Sequence, residues 1–307
     1  MAYRHILVPF DGSPLAKAAV SVAAWLAWRG GGELDLVKAV GEHPPFSVMP
    51  LAGMADPDEQ LAHEETEMSY QAARLREKGV SATGAAVPGE PSEVLLDHIR
   101  RRGIDLVVMG THGRPLAERW LLGSVASDVA HRSPVPVLLV PRNARPTHDD
   151  ALQVLVAMDE SADAEAALEA AIQFQQTVPA ELTVFEVFPP NGTDSGTKSL
   201  DWYDTPVLGD SGYLDQVQAQ LRDRDLNVRR AYSMGIAGEE IVRFAERAPF
   251  DLVAIGTRGL TGLPRLVWGS VADYVVRHAG VPVLVTSQLA ARARTTIEPE
   301  LLKQPAR

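Results

Sequence analysis

Asp105-Leu106-Val107-Val108-Met109-Gly110-Thr111-His112-Gly113 reads as an apolar strand running into a glycine loop. Nine residues further on, Gly123-Ser124-Val125-Ala126 reads as a helix start. The chain then says this again. Asp251-Leu252-Val253-Ala254-Ile255-Gly256-Thr257-Arg258-Gly259 is followed, after nine residues, by Gly269-Ser270-Val271-Ala272. The copies lie about 146 residues apart, and Val-Pro-Val-Leu closes each, at 135–138 and 281–284. A period this long means two copies of one domain, because solenoid repeats are far shorter.

Working outward, strand and helix patterns alternate in both halves. In the first, Ile6–Phe10 is a short apolar run. Ser13-Pro14 supplies an N-cap and a proline for the first helical turn, and Gly30-Gly31-Gly32 ends that helix. Further strands are expected at 34–40, 80–87, 105–109 and 135–140, with helices ending near Lys78, over 93–101 and over 124–131. The second half repeats the order, with strands near 154–158, 182–188, 228–233, 252–255 and 283–286. The polar stretch 141–150 reads as a linker. This predicts an α/β chain of two tandem doubly wound domains, each a five-stranded parallel sheet covered by helices on both faces. Their bounds are 1–142 and 151–288, with a polar tail at 289–307.

Composition narrows the function. The 307 residues carry a net charge of −11 and no cysteine. That charge repels nucleic acid. Lack of cysteine excludes disulfides and thiolate chemistry and suits a cytoplasmic protein. No stretch approaches the ~20 apolar residues of a membrane span, and the N-terminus lacks the pattern of a signal peptide.

In open parallel sheets, ligands bind beyond the carboxyl ends of the strands, where strand order reverses. With order 3-2-1-4-5, the loop after the first strand and the glycine loop after the fourth meet there. Glycines at 110, 113 and 123, and at 256, 259 and 269, would let backbone N–H groups approach an anion. Ser124 and Ser270 open helices whose free N–H groups attract phosphate. The competing reading is turn glycines and a helix cap. Asp11 and Asp159 follow the first strand of each half. They could accept ribose hydroxyls, help hold Mg²⁺, or simply favour a helix N-terminus. His112 and Arg258 hold equivalent loop positions and could touch phosphate. Neither the Walker pattern nor G-x-G-x-x-G after a strand occurs, and no catalytic base stands out.

With these motifs in hand, the chain resembles the tandem form of the universal stress protein family, in its ATP-binding branch. The openings Ile6–Ser13 and Leu155–Ser161, both glycine frames and the closing Val-Pro-Val-Leu runs carry the resemblance from about residue 3 to 287. It implies an adenine nucleotide alpha hydrolase-like fold and a cytosolic stress-response or regulatory role. A slow ATPase or phosphotransferase, and a scaffold with vestigial sites, are the alternatives. It implies ATP, with Mg²⁺, on Asp11, Gly110, Gly113, Gly123, Ser124 and Val125. Asp159, Gly256, Gly259, Gly269, Ser270 and Val271 would line a second site. Adenine would lie near Ala39 and Val187. The halves would pair within the chain through their last strands, and a further homodimer stays open. Glu160, where the first half has Gly12, brings a carboxylate that would weaken the second site.

Overall fold

A computed structural model describes residues 2–41, 56–111, 123–144, 151–189, 212–257, 269–287 and 290. The first half runs β1 (His5–Pro9), α1 (Pro14–Gly30), β2 (Glu33–Val40), α2 (Pro57–Glu77), β3 (Ser81–Pro88), α3 (Pro91–Arg102), β4 (Leu106–Gly110), α4 (Ser124–Arg132) and β5 (Val137–Val140). The second runs β6 (Leu152–Met158), α5 (Ala162–Thr177), β7 (Ala180–Phe188), α6 (Gly212–Arg222), β8 (Val228–Met234), α7 (Ala237–Arg247), β9 (Leu252–Gly256), α8 (Ser270–His278) and β10 (Val283–Thr286).

Local chemistry explains several boundaries. The Ser13 hydroxyl accepts from the Ala16 N–H at 3.1 Å, capping α1. Gly31 closes that helix in the left-handed region, with φ at 65°. Ser161 caps α5 in the same way through the Ala164 N–H at 3.2 Å. Helix α3 starts at Pro91, ahead of the expected Glu93. There the Glu90 carboxylate accepts from the Glu93 N–H at 3.1 Å, and proline suits the first turn.

The strands form one sheet in the order β3-β2-β1-β4-β5-β10-β9-β6-β7-β8. Among the described strands only β5 and β10 pair antiparallel, with Leu138 opposite Leu284. The order therefore reverses twice, between β1 and β4 and between β6 and β9. Side chains alternate across the sheet. Ile6 and Val8 pack on the face carrying α1, α2, α5 and α6, while Leu7 packs on the face carrying α3, α4, α7 and α8. Both apolar layers continue through both halves. Tyr3 adds to the join, its N–H donating to Thr177 Oγ1 at 2.7 Å and its hydroxyl to the Ala170 carbonyl at 2.9 Å.

The acids that lead the repeated runs have a structural task. Asp105 accepts from the backbone N–H groups of Arg4 at 2.8 Å and His5 at 3.2 Å. Asp251 accepts from that of Gln153 at 2.8 Å. Each carboxylate satisfies the entry of the neighbouring first strand. Burial pushes both acids above the usual range, and these hydrogen bonds oppose it.

Candidate functional site

Asp11 and Asp159 stand just past β1 and β6, exposed at the two points where strand order reverses. Their Oδ1 atoms accept from the Ser13 N–H at 3.0 Å and the Ser161 N–H at 3.2 Å, which turns the chain into α1 and α5. The Ser161 hydroxyl also donates to Asp159, at 2.5 Å.

Gly110 and Gly256 end β4 and β9, and helix packing accounts for both. A Cβ on Gly110 would meet the Leu15 carbonyl oxygen at 2.8 Å. One on Gly256 would meet the Asp163 backbone at 2.6 Å. These glycines let α1 and α5 cross close over the strand ends, a reason the spacing alone did not show. Past Gly256, backbone hydrogen bonds join the described residues on either side of the second loop. Thr257 N–H donates to the Thr286 carbonyl, and Gly269 N–H donates to the Thr257 carbonyl at 2.8 Å. Gly269 is therefore no free anion donor.

Past Gly269, α8 begins without a side-chain cap, as α4 does past Gly123. The first intrahelical bonds run from Ser127 to Gly123 and from Asp273 to Gly269. Ser124, Val125, Ser270 and Val271 thus sit in first turns whose N–H groups have no partner inside the helix. Such a turn is suited to an anion.

In the second half these pieces enclose a cavity of about 530 Å³, a size ordinary for small-ligand sites. Asp159, Val187, Gly256, Gly269, Ser270 and Val271 all line it. The remaining wall is largely apolar: Phe185 and Pro189 at the end of β7, Ile255 on β9, and Ala237 and Ile241 on α7. Period-two alternation on β7 pairs Phe185 with Val187 on one face, but only the strand order brings α7 over them. Thr257 also lines the cavity and is buried. In the first half, Ala39 lies half-buried near the end of β2, with Asp11 and Gly110 at the matching switch point. The expected positions His112, Gly113, Arg258 and Gly259, and the tail beyond Ala290, lie outside the described residues.

One acid escaped the reading of the motifs. Glu186 sits between Phe185 and Val187 with its side chain buried, and its Oε2 has no hydrogen-bond partner. Burial, then the charges of Glu160 and Asp159, push its carboxyl up to about 7. A lone acid in the apolar run 182–188 was the available signal. Among the described residues, no three His, Asp or Glu side chains are placed to hold a metal ion. No described helix is long and apolar enough to cross a membrane.

Comparison with known proteins follows the same division into halves. The family model described as the universal stress protein family matches residues 2–141 and again residues 152–287. A universal stress protein of Mycobacterium tuberculosis is 26% identical over 295 residues, covering 92% of this chain and 96% of that protein. Universal stress protein YxiE of Bacillus subtilis is 29% identical over 147 residues, covering 45% of this chain and 99% of that protein. The crystal structure of a universal stress protein from Archaeoglobus fulgidus shares the fold. It gives a TM-score of 0.72 at 21% identity, covering 94% of this chain and 100% of that one.

Proposed function

The chain belongs to the universal stress protein family, and from that premise we propose that it is a cytoplasmic regulatory protein that binds adenine nucleotides at its two switch points. The observation that carries this reading is the cavity beyond β6 and β9. It is lined by the apolar Phe185, Val187 and Ile241 together with the first turn of α8. A purine ring fits the first and a phosphate the second. Residues 1–142 and 151–288 act as the two binding units, and ATP is the ligand proposed for the first. Its phosphates would meet the first turn of α4 at Ser124 and Val125, and its adenine the strand end at Ala39. Mg²⁺ would arrive with the triphosphate, near Asp11. Nucleotide occupancy serves as a signal that alters which partners the protein meets.

Replacing Ser124 with Asp tests this reading cleanly. A carboxylate in a helix's first turn favours the helix but repels phosphate. The variant should melt like the parent, while calorimetric titration with ATP and Mg²⁺ shows triphosphate binding lost at the first half. A parent protein that ignores millimolar ATP and adenosine alike would overturn the proposal.

A further inference from the structure

The repeat allows the two sites to be compared residue by residue. Pro9 lies beside Val37 in one half, and Ala157 lies beside Phe185 in the other. Asp11 therefore corresponds to Asp159, and Lys38 to Glu186. Along the same register Gly12 becomes Glu160, Leu15 becomes Asp163 and Lys17 becomes Glu165. All four replacements add negative charge or exchange positive for negative.

The environments differ accordingly. Lys38 Nζ lies 2.5 Å from Glu64 Oε2, so the first half has a compensated pair at this point. Glu186 is 8% exposed and leaves one carboxyl oxygen without a hydrogen bond. Tyr213, at the start of α6, is half-buried. Burial pushes that phenol up to about 12, reinforced by Glu165, Asp159, Glu160 and Glu186. These four carboxylates therefore act on one small region. Asp159 belongs both to this region and to the wall of the cavity.

Resting on the adenine-nucleotide reading, we propose that the cavity of the second half selects an adenine ligand with little or no negative charge, a nucleoside in preference to a triphosphate, while the first half takes the triphosphate. The apolar wall of Phe185, Val187, Ile241 and Ile255 suits a base in either case. What changes is the far end of the ligand. Ribose hydroxyls can donate to carboxylates such as Asp159. A polyphosphate there would face Asp159 in the cavity wall, with Glu160 next to it in the chain and Glu186 on the opposite face of β7 from Phe185 and Val187. Each like-charge contact in water weakens binding by about fivefold, and more where solvent is excluded.

Photolabelling the full chain with azido-adenosine and azido-ATP, with and without Mg²⁺, resolves the halves when labelled peptides are mapped by mass spectrometry. Peptides of the second half should reach half-saturation at a nucleoside concentration at least about tenfold below that for the triphosphate. Peptides of the first half should favour the triphosphate. Combining Glu160→Gly with Glu186→Gln should raise triphosphate labelling of the second half about tenfold and leave nucleoside labelling unchanged. Glu160 has φ of 61°, a geometry that glycine adopts freely, and Glu186→Gln alone gives a second, near-isosteric variant. Equal labelling of the second half by both probes, or variants that leave the ratio unmoved, would overturn the selectivity but leave the nucleotide reading standing. No saturable labelling of either half by either probe would overturn both.

Discussion

The two halves share one backbone plan and differ in what they bury beneath α3 and α7. Under α3 lies Asp35, 4% exposed, accepting from the Thr83 hydroxyl at 2.5 Å. His98 Nε2 lies 3.0 Å and Arg102 Nε 3.2 Å from its other oxygen. Burial pushes Asp35 up, but hydrogen bonds from His98, Thr83 and Arg102 outweigh it and hold the carboxyl well below the usual range. In the second half Thr183 stands at the place of Asp35, and Phe244 at that of His98. Phe244 stacks on Phe185 with ring centroids 4.4 Å apart and contacts Phe250 at 5.4 Å. Strand order, the serine N-caps of α1 and α5 and the close-packed Gly110 and Gly256 are common to both halves. A charged network and an aromatic stack are therefore interchangeable fillings of one frame, but they answer differently to substitution and pH.

The largest difference is expected at Asp35. Asp35→Ala leaves His98 and Arg102 facing a buried gap and should cost about 3 kcal/mol in urea unfolding. Thr183→Ala should cost about 1 kcal/mol. Equal losses would erase the distinction between the two layers. The shared frame predicts parity instead. Gly110→Val and Gly256→Val should each cost about 2–3 kcal/mol, because each new side chain is driven into the following helix. A marked inequality there would mean that the frames are less alike than the backbone suggests.

Acidity should separate the halves by sign. Asp35 has its carboxyl depressed in the folded state, so its contribution is full above its ordinary value and is lost as pH falls below about 4. Glu186 has its carboxyl raised, so folding favours the protonated form and stability falls as pH rises from its ordinary value towards about 7. Glu186→Gln should remove about 1–2 kcal/mol of that fall, read from melting curves across pH 4 to 8. Asp35→Asn should leave this limb intact and flatten the acid one. The smallest effect concerns the turn after the first strand. Gly12 and Glu160 both hold positive φ, at 76° and 61°. Glu160→Gly should stabilise by about 1 kcal/mol, and Gly12→Ala should destabilise by a similar amount.

What was legible in the chain was mostly local. Ser13, Pro14 and Gly31 announce α1 because capping depends on a few adjacent residues. The doubled motif announces two α/β units because strands and helices have different periods. Gly110 and Gly256 show the limit. Spacing marks a glycine but cannot say which neighbour demands it, and here the neighbour is a helix arriving from another part of the chain. Asp105 and Asp251 were visible only as acids leading apolar runs, since their partners are the entries of adjacent strands. Phe185 and Ile241 became a cavity wall only once β7 was placed beside β6 with α7 above them. Glu186 was readable as an acid in an apolar strand, but its isolation depends on what the fold packs against that position, where in the first half Lys38 meets Glu64.

The most direct measurement is denaturing extraction of the freshly purified full chain, with each released adenine compound identified and counted per chain. Two sites of unequal charge predict ATP at about one per chain, with any second ligand being a nucleoside. Two ATP per chain would contradict the inequality of the halves. No adenine compound released, and none bound on subsequent titration with ATP and adenosine, would contradict nucleotide binding itself.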